Sequence, residues 1–314
     1  MSNYWKKRNE EMEHIQSMYN SDAEYNKAIK DIYQRAEKNI LKEIDSELMR
    51  YAGRENLSMD EARKKVSKMD VEAFRGKAKQ YVKEKNFTAR ANDELRAYNV
   101  KMRMNRLQML QENIRLETIA LADEESKLLH SRLDEEIWDE LSRQAGILGE
   151  TIPSKKAMRK NVRAIVEADF KGTDFSNRIW RNQNDLQRRL SKTIEDVLIQ
   201  GKNPREGARD IRGAVSKRFK NANCAADRIA ITESGRVQIA SQKLAYKEFD
   251  IEQLEIIVEP DGCDECQPHD GNIVNVNDAR EGENVPVFHP FCRCSTTAYV
   301  DRKAYERDLT NRGL

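Results

Sequence analysis

Apolar residues recur every three to four positions through most of the chain, the spacing of one buried face on an α-helix. In residues 1–50 this series is interrupted near Ser21, so two helices are predicted there. Gly and Pro are almost absent from the stretch, whereas Glu, Lys, Gln and Arg, which favour helices, are abundant. The first part of the chain is therefore expected to be helical.

Further helices are predicted downstream. Ser58 followed by Glu61 has the spacing of a capping box, which opens a helix. The apolar series over residues 86–145 contains no Gly or Pro but is too irregular for a strict heptad. It therefore favours packing against partner helices over a long coiled coil. The segment GILGETIPSKK then indicates a break between subdomains.

The second half of the chain begins with helices and ends with strands. Asp174 or Ser176 is expected to cap a helix that Gly201 ends. Pro204 begins the next helix, and the segment CAADRIAITESGRVQIASQKLAYKEF is predicted to form a further one. After Asp250 three short β-branched segments predict strands: LEIIVE, NIVNV and STTAYV.

The predicted fold class is mainly α. Long amphipathic helices precede a small C-terminal α+β module with a few short strands and a Cys/His cluster. We expect an extended α-helical interaction region at residues 1–150, a helical core region at residues 151–249 and the small α+β module at residues 250–314. Long amphipathic helices with few aromatic anchors are hard to bury in one compact core, so the first region is expected to order against a partner.

Composition narrows the class of protein. Charged residues make up 35% and aromatic residues 7% of the 314 residues, and the mean hydropathy is -0.87. This profile is typical of a water-soluble, helix-rich protein. No run of 18 apolar residues is present, so no contact with a membrane is expected. The start, MSNYWKKRNEEMEH, lacks the apolar core of a secretory signal.

The charges are unevenly distributed. Residues 155–220 contain eighteen Lys and Arg against eight Asp and Glu, and residues 247–290 contain two against twelve. The basic block predicts weak, sequence-independent contact with DNA, or contact with an acidic partner. A solvated helical face, or contact with the chain's own acidic block, explains the same pattern equally well.

Four of the five cysteines and two of the four histidines lie close together near the C-terminus. Cys263 and Cys266 form a C-x2-C knuckle, and His289, Cys292 and Cys294 form an H-x2-C-x-C knuckle. A tetrahedral zinc ion takes four soft or borderline ligands, which tight turns present in pairs. This spacing predicts a structural zinc site that stabilises a module with little core of its own.

The ligand set is left open by spacing alone. The candidate ligands are Cys263, Cys266, Cys292 and either His289 or Cys294, with His269 as an outside candidate. Cys292 and Cys294 are two positions apart, so in an extended segment their side chains point to opposite faces, and one of them is expected to pack rather than ligate. Reduced cysteines in a core, or a disulfide, are the alternatives. The odd number of cysteines favours a reducing compartment over a disulfide framework.

No enzyme is predicted. Zinc deaminases need an H-x-E motif with P-C-x-x-C, but Gly262 precedes Cys263 and neither nearby histidine is in H-x-E. Cys292 with His289 could form a nucleophile and base, although both serve better as ligands. The alternative function is a zinc-dependent nucleic-acid-processing or toxin-like enzyme built on the C-terminal Cys/His module.

Taken together, the motifs of the C-terminal half resemble the phage Mu F-like minor head proteins, also called the minor capsid or head-morphogenesis family. The matching segments lie in order within residues 165–300: FSNRIW with a G-K-N-P exit, RIAITESGR, C-x2-C, DG and HPFCRC. One segment departs from the family, which usually has an aromatic or charged residue in the strand before the first knuckle. This chain has Ile256-Ile257-Val258-Glu259 there.

The resemblance implies a part in the head assembly of a tailed bacteriophage. Such proteins bind the portal protein, enter the procapsid in a few copies, and affect DNA packaging or DNA ejection into the host. For this chain it implies a virion protein inside the phage head, and in the host cytoplasm during assembly. The implied partners are the portal protein and other head or scaffold proteins.

Overall fold

A computed structural model describes residues 3–51, 68–85, 87–96, 105–199 and 204–299. Within these ranges the chain forms seven α-helices followed by three short strands, which confirms the predicted fold class. The helices are α1 (Asn3–Tyr51), α2 (Lys68–Glu84), α3 (Ala89–Arg96), α4 (Arg106–Leu148), α5 (Lys155–Val166), α6 (Phe175–Ile199) and α7 (Pro204–Glu248).

Two predicted helix breaks are wrong. Helix α1 continues through Ser21, because the inward position that the apolar series skips is occupied by Asp22, a buried polar residue. Helix α7 runs without interruption where two helices were predicted. The buried face of its middle part is formed by the small residues Ala222 and Ala226. Alanine is less apolar than the large aliphatic residues, so the helical period is weaker there in the sequence.

Other predicted boundaries agree with the structure. Helix α4 ends at Leu148, inside the segment predicted as a break, although the division into subdomains there stays a prediction. Ser154 caps α5, its hydroxyl oxygen accepting a hydrogen bond from the Ala157 N–H at 3.4 Å. Helix α6 begins directly after Asp174, and Pro204 begins α7. The predicted capping box at Ser58 and the predicted helix end at Gly201 lie outside the described residues.

The chain divides into two compact units. Unit 1 comprises Met1–Tyr25, Leu129–Phe175 and Arg228–Leu314, and unit 2 comprises Asn26–Leu128 and Ser176–Asp227. Helices α1, α4 and α7 therefore each contribute residues to both units. The predicted regions 1–150, 151–249 and 250–314 stay a prediction.

Unit 2 is a set of helical segments with polar groups inside. The Tyr33 hydroxyl donates to Glu125 Oε2 at 2.9 Å, and the side-chain amide of Gln183 donates to the same oxygen at 2.8 Å. All three residues are buried. This network joins α1, α4 and α6. It gives the buried Glu125 carboxylate two hydrogen-bond donors and so avoids the free-energy cost of leaving it unpaired.

Unit 1 contains the only strands in the described residues. They form an antiparallel sheet in the order β2 (Ile273–Asn275), β1 (Gln253–Ile257) and β3 (Ser295–Tyr299). All three segments were predicted as strands. The sheet belongs to a buried apolar cluster that includes Ile239 and Tyr246 of α7. Three of the cysteines lie in the same cluster, so the sheet and α7 together position the Cys/His module.

Candidate metal centre

The first knuckle is a tight turn that follows β1. The backbone N–H groups of Cys266 and Gln267 donate to the Cys263 carbonyl oxygen at 2.9 and 3.0 Å. Gly262 precedes the turn, and a Cβ at that position would overlap the side chain of Val258. Glycine is therefore needed here, because it allows the backbone before the knuckle to lie directly against the Val258 side chain.

The second knuckle is a turn from His289 to Cys292. The Cys292 N–H donates to the His289 carbonyl oxygen at 3.2 Å, Pro290 occupies the second position, and Phe291 has a φ of 67°. This is the pattern of a type II turn, whose third position normally takes glycine. Cys294 follows and leads directly into β3.

The two turns bring all five predicted ligand residues together. His289 Nε2 lies 3.1 Å from Cys263 Sγ and 3.0 Å from Cys266 Sγ. The ligand atoms of Cys263, Cys266 and His289 lie within 4.8 Å of one another, and so do those of Cys266, Cys292 and Cys294. Cys266 belongs to both groups and so connects them, with His289 in the first group and Cys294 in the second.

The donor set fits a zinc ion. Zinc bonds to sulfur of about 2.3 Å in a tetrahedron place two sulfurs about 3.8 Å apart. The Sγ atoms of Cys266 and Cys292 are separated by 3.8 Å. The nitrogen of His289 completes a set of soft and borderline donors. All five cysteines are free thiols, so the structure does not contain the alternative disulfide.

His289 is oriented by its own backbone. Its Nδ1 lies 2.8 Å from the Pro290 carbonyl oxygen, which can only accept, so Nδ1 carries the proton and donates. Nε2 then has its lone pair directed toward the thiols. Burial opposes protonation of the ring, but the bond to Pro290 and the negative charge of the Cys292 and Cys263 thiolates raise the His289 pKa overall.

The thiols differ in acidity. A hydrogen bond from Cys294 is the main cause that lowers the pKa of Cys292 to about 6, and the same bond raises the pKa of Cys294. Burial raises the pKa of Cys266, whereas the backbone N–H of Cys266 lowers the pKa of Cys263. Because metals bind thiolates, Cys292 and Cys263 are the thiols that are easiest to deprotonate for binding.

His269 has a packing role. Its ring stacks on Phe288, with the ring centroids 4.1 Å apart and the planes inclined by 15°. Among the described residues, neither group of potential metal ligands includes His269. The stack joins the end of the first knuckle to the residue before His289.

Helix α7 also contains a buried charged pair, Glu233 and Arg236, which contacts the end of α5. Arg236 donates to Glu233 at 2.6 Å and to the carbonyl oxygens of Ile165 and Val166 at 2.8 and 3.4 Å. These carbonyls end α5, so the guanidinium caps that helix. Both Arg236 and Glu233 are buried. Their contacts are structural ones.

Residues 189–297 match the model of a family described as phage Mu protein F like protein. This segment is similar to the phage Mu F-like family. The match confirms the resemblance drawn from the motifs and supports a phage head morphogenesis protein. No curated protein and no solved structure matches the chain.

The Mu F-like segment contains the five candidate ligands, but two features of unit 1 lie outside it. The first is the N-terminal part of α1, where Arg8 donates to Glu255 at 3.0 Å and to Asp270 at 2.6 and 2.7 Å. The Tyr19 hydroxyl donates to Glu259 at 2.5 Å. Sequence reasoning missed these contacts, because charged residues on an amphipathic helix have the pattern of a solvated face.

The second feature outside the Mu F-like segment is the surface of α5. This helix exposes Lys155, Lys156, Arg159, Lys160 and Arg163 and contains no acidic residue. Within the described part of the chain, only Arg163 of these forms an ion pair, with Glu167.

The cations of the basic block on α6 and α7 are arranged differently. Asp185 pairs with both Arg188 and Arg189, and Asp45 pairs with Arg212 at 2.8 Å. Within the described residues, the predicted basic block therefore includes α5, where Arg163 alone forms an ion pair, and two other helices whose cations are partly neutralised. None of the described helices is long and apolar enough to cross a membrane.

Proposed function

We propose that this chain is a minor head protein of a tailed bacteriophage that binds the portal protein. In this proposal it takes part in procapsid assembly, DNA packaging or DNA ejection. The observation that carries the proposal is the Mu F-like match over residues 189–297, which contains both knuckles and the part of α7 that supports them. The same match supports other head proteins as partners and a place inside the virion.

The proposed metal is zinc, held by Cys263, Cys266, His289 and Cys292. The hydrogen bond from His289 Nδ1 to Pro290 favours His289 as the fourth ligand, since metal-binding histidines commonly donate their other N–H to a carbonyl or carboxylate. Cys294 then donates to the Cys292 sulfur. When bound, the metal contributes folding free energy, on the order of 10 kcal/mol in small zinc peptides near neutral pH.

The proposed role is structural rather than catalytic. Four protein ligands leave no open position at which zinc could bind and activate a water molecule. On α7 the buried Arg236 donates to Glu233 and caps α5, so this charged pair has structural contacts. These contacts support a protein that acts by assembly.

Sequence-independent contact with DNA is proposed for α5. Its exposed lysines and Arg159 carry positive charge without carboxylate partners among the described residues. Such side chains can neutralise phosphates, but the sequence contains no recognition motif for base readout beside them. The contact is therefore expected to depend on salt and not on sequence.

Portal binding is tested by co-expression with the portal protein encoded in the same genome. Size-exclusion chromatography is expected to bring the chain into the fraction of the portal oligomer. The portal protein of an unrelated phage is the control and should not retain it. A chain that elutes alone in the presence of its own portal oligomer would reject the proposed partner.

A further inference from the structure

The second knuckle adopts a backbone conformation that its own sequence disfavours. Phe291 has a φ of 67°, in the left-handed region that a type II turn requires at this position. Glycine adopts this region freely, whereas a side chain with a Cβ is strained there. Phe291 is 47% exposed, so burial of its ring does not explain the conformation. Something outside the turn must hold it.

Thr232 on α7 provides one contact with this turn. Its hydroxyl donates to the Arg228 carbonyl oxygen at 2.7 Å, which orients the oxygen. The same oxygen accepts a hydrogen bond from the Phe291 N–H at 3.3 Å. Thr232 is buried, so its hydrogen bond to Phe291 lies in the packed region between α7 and the turn.

Gly235 provides the second contact. It lies three residues after Thr232 on the same helix and therefore on the same face. A Cβ at Gly235 would lie 2.9 Å from the Cys292 carbonyl oxygen and 3.0 Å from Val287 Cγ2. The first of these atoms belongs to the backbone and cannot rotate away. The turn thus packs directly on the bare helix backbone at the residue that follows Phe291.

We infer that Thr232 and Gly235 are positioning residues for the metal centre. They fix the turn from His289 to Cys292 on α7 and so set the distance of its two ligands from the first knuckle. This inference rests on the metal centre proposed above. Neither residue offers a ligand atom to the cluster, so each acts through the geometry of the turn.

The test is a Co²⁺ titration of the full-length chain after removal of metal by a chelator, followed by competition with Zn²⁺. Tetrahedral Co²⁺ bound to thiolates absorbs visible light, which reports ligand geometry as well as affinity. Changes to groups that orient metal ligands typically weaken binding about 10- to 100-fold. Gly235→Ala is expected to weaken Co²⁺ binding by this factor and to alter the absorption band.

Gly213→Ala is the matched control. Gly213 lies on the same helix, and a Cβ there would meet nothing within 4 Å. This variant is expected to bind Co²⁺ like the wild type. Thr232→Val, which removes the hydroxyl at similar size, is expected to weaken binding, and Thr232→Ser, which restores the hydroxyl, is expected to recover most of the affinity.

The outcomes separate the two proposals. If the wild type binds neither Co²⁺ nor Zn²⁺, the metal centre is wrong and this inference falls with it. If the wild type binds but Gly235→Ala and Thr232→Val bind equally well, only the positioning role is overturned. Far-UV circular dichroism checks the fold of each variant. Should Gly235→Ala fail to fold, the comparison of Thr232→Val with Thr232→Ser decides.

Discussion

The buried guanidinium of Arg293, which lies between two candidate metal ligands in the sequence, donates to the carboxylate of Asp22 on α1. Arg132 on α4 donates to the same oxygen at 2.7 Å. All three side chains are buried. The second knuckle is therefore joined to the beginning of the chain by an ion pair, although 271 positions separate Asp22 from Arg293.

Asp22→Asn is expected to lower the free energy of unfolding by about 3–5 kcal/mol, because it leaves two buried guanidinium groups without their shared countercharge. Urea unfolding at a constant zinc concentration measures this change. Asp31→Asn is the matched control: Asp31 is exposed on the same helix, so a change within about 0.5 kcal/mol is expected. Equal unfolding midpoints for wild type and Asp22→Asn would contradict the structural role of this ion pair.

Cys266→Ser is expected to remove bound metal and to destabilise residues 250–299, because Cys266 belongs to both ligand groups. Hydrogen exchange should show lost protection there and, through the contacts of Arg8 and Asp22, in the first part of α1. Cys224→Ser is the control, since Cys224 is exposed and outside both ligand groups.

Elemental analysis and thermal melting check the same prediction. We expect about one equivalent of zinc in wild type and in Cys224→Ser, and a lower melting temperature after addition of a chelator. Metal-free wild-type protein whose melting a chelator does not change would mean that the cysteines are reduced core residues.

Glu125→Gln is expected to flatten the pH dependence of stability near neutrality. Burial raises the pKa of Glu125 from 4.5 to about 7. A raised pKa means that the folded state binds the proton more tightly than the unfolded state does. The protonated Glu125 therefore contributes its full share to the free energy of unfolding below about pH 4.5, and this share is lost as the pH rises through about 7. The loss is on the order of 3 kcal/mol.

Urea unfolding at a series of pH values between 4.5 and 8 measures this effect. Glutamine keeps an oxygen that can accept from Tyr33 but does not ionise, so the variant should gain stability relative to wild type as the pH rises. Glu24→Gln, at an exposed position, should follow the wild-type profile. Parallel curves for wild type and Glu125→Gln would show that Glu125 does not titrate in this range.

Replacing Lys156 and Lys160 together by glutamine is expected to weaken DNA binding uniformly across sequences. Each phosphate contact contributes about one to the slope of log affinity against log salt, so the slope should fall by about two. Replacing Arg188 and Arg189 is the control, since Asp185 already pairs with both. Fluorescence anisotropy at several salt concentrations measures the slopes. Absence of binding at low salt would identify α5 as a solvated face.

The sequence by itself determined the local elements and the cluster of metal-binding residue types. A helical period of apolar residues, three short β-branched segments and two knuckles of Cys and His are local signals, because each depends on residues a few positions apart. These signals predicted the mainly α fold, the three strands and the five candidate ligands. The Mu F-like resemblance also followed from motifs in a fixed order.

Only the tertiary structure decided which residues hold the module in place. Asp22 interrupts the apolar series and suggests a helix break, yet it is buried because Arg293 from the far end of the chain neutralises it. Nothing in the sequence around Gly235 shows why glycine is needed there. The structure shows the reason, because the Cys292 carbonyl oxygen lies against this position. Period and spacing report which face of an element is buried. They do not report what is packed against that face, because partners that are distant in sequence meet only when the chain folds.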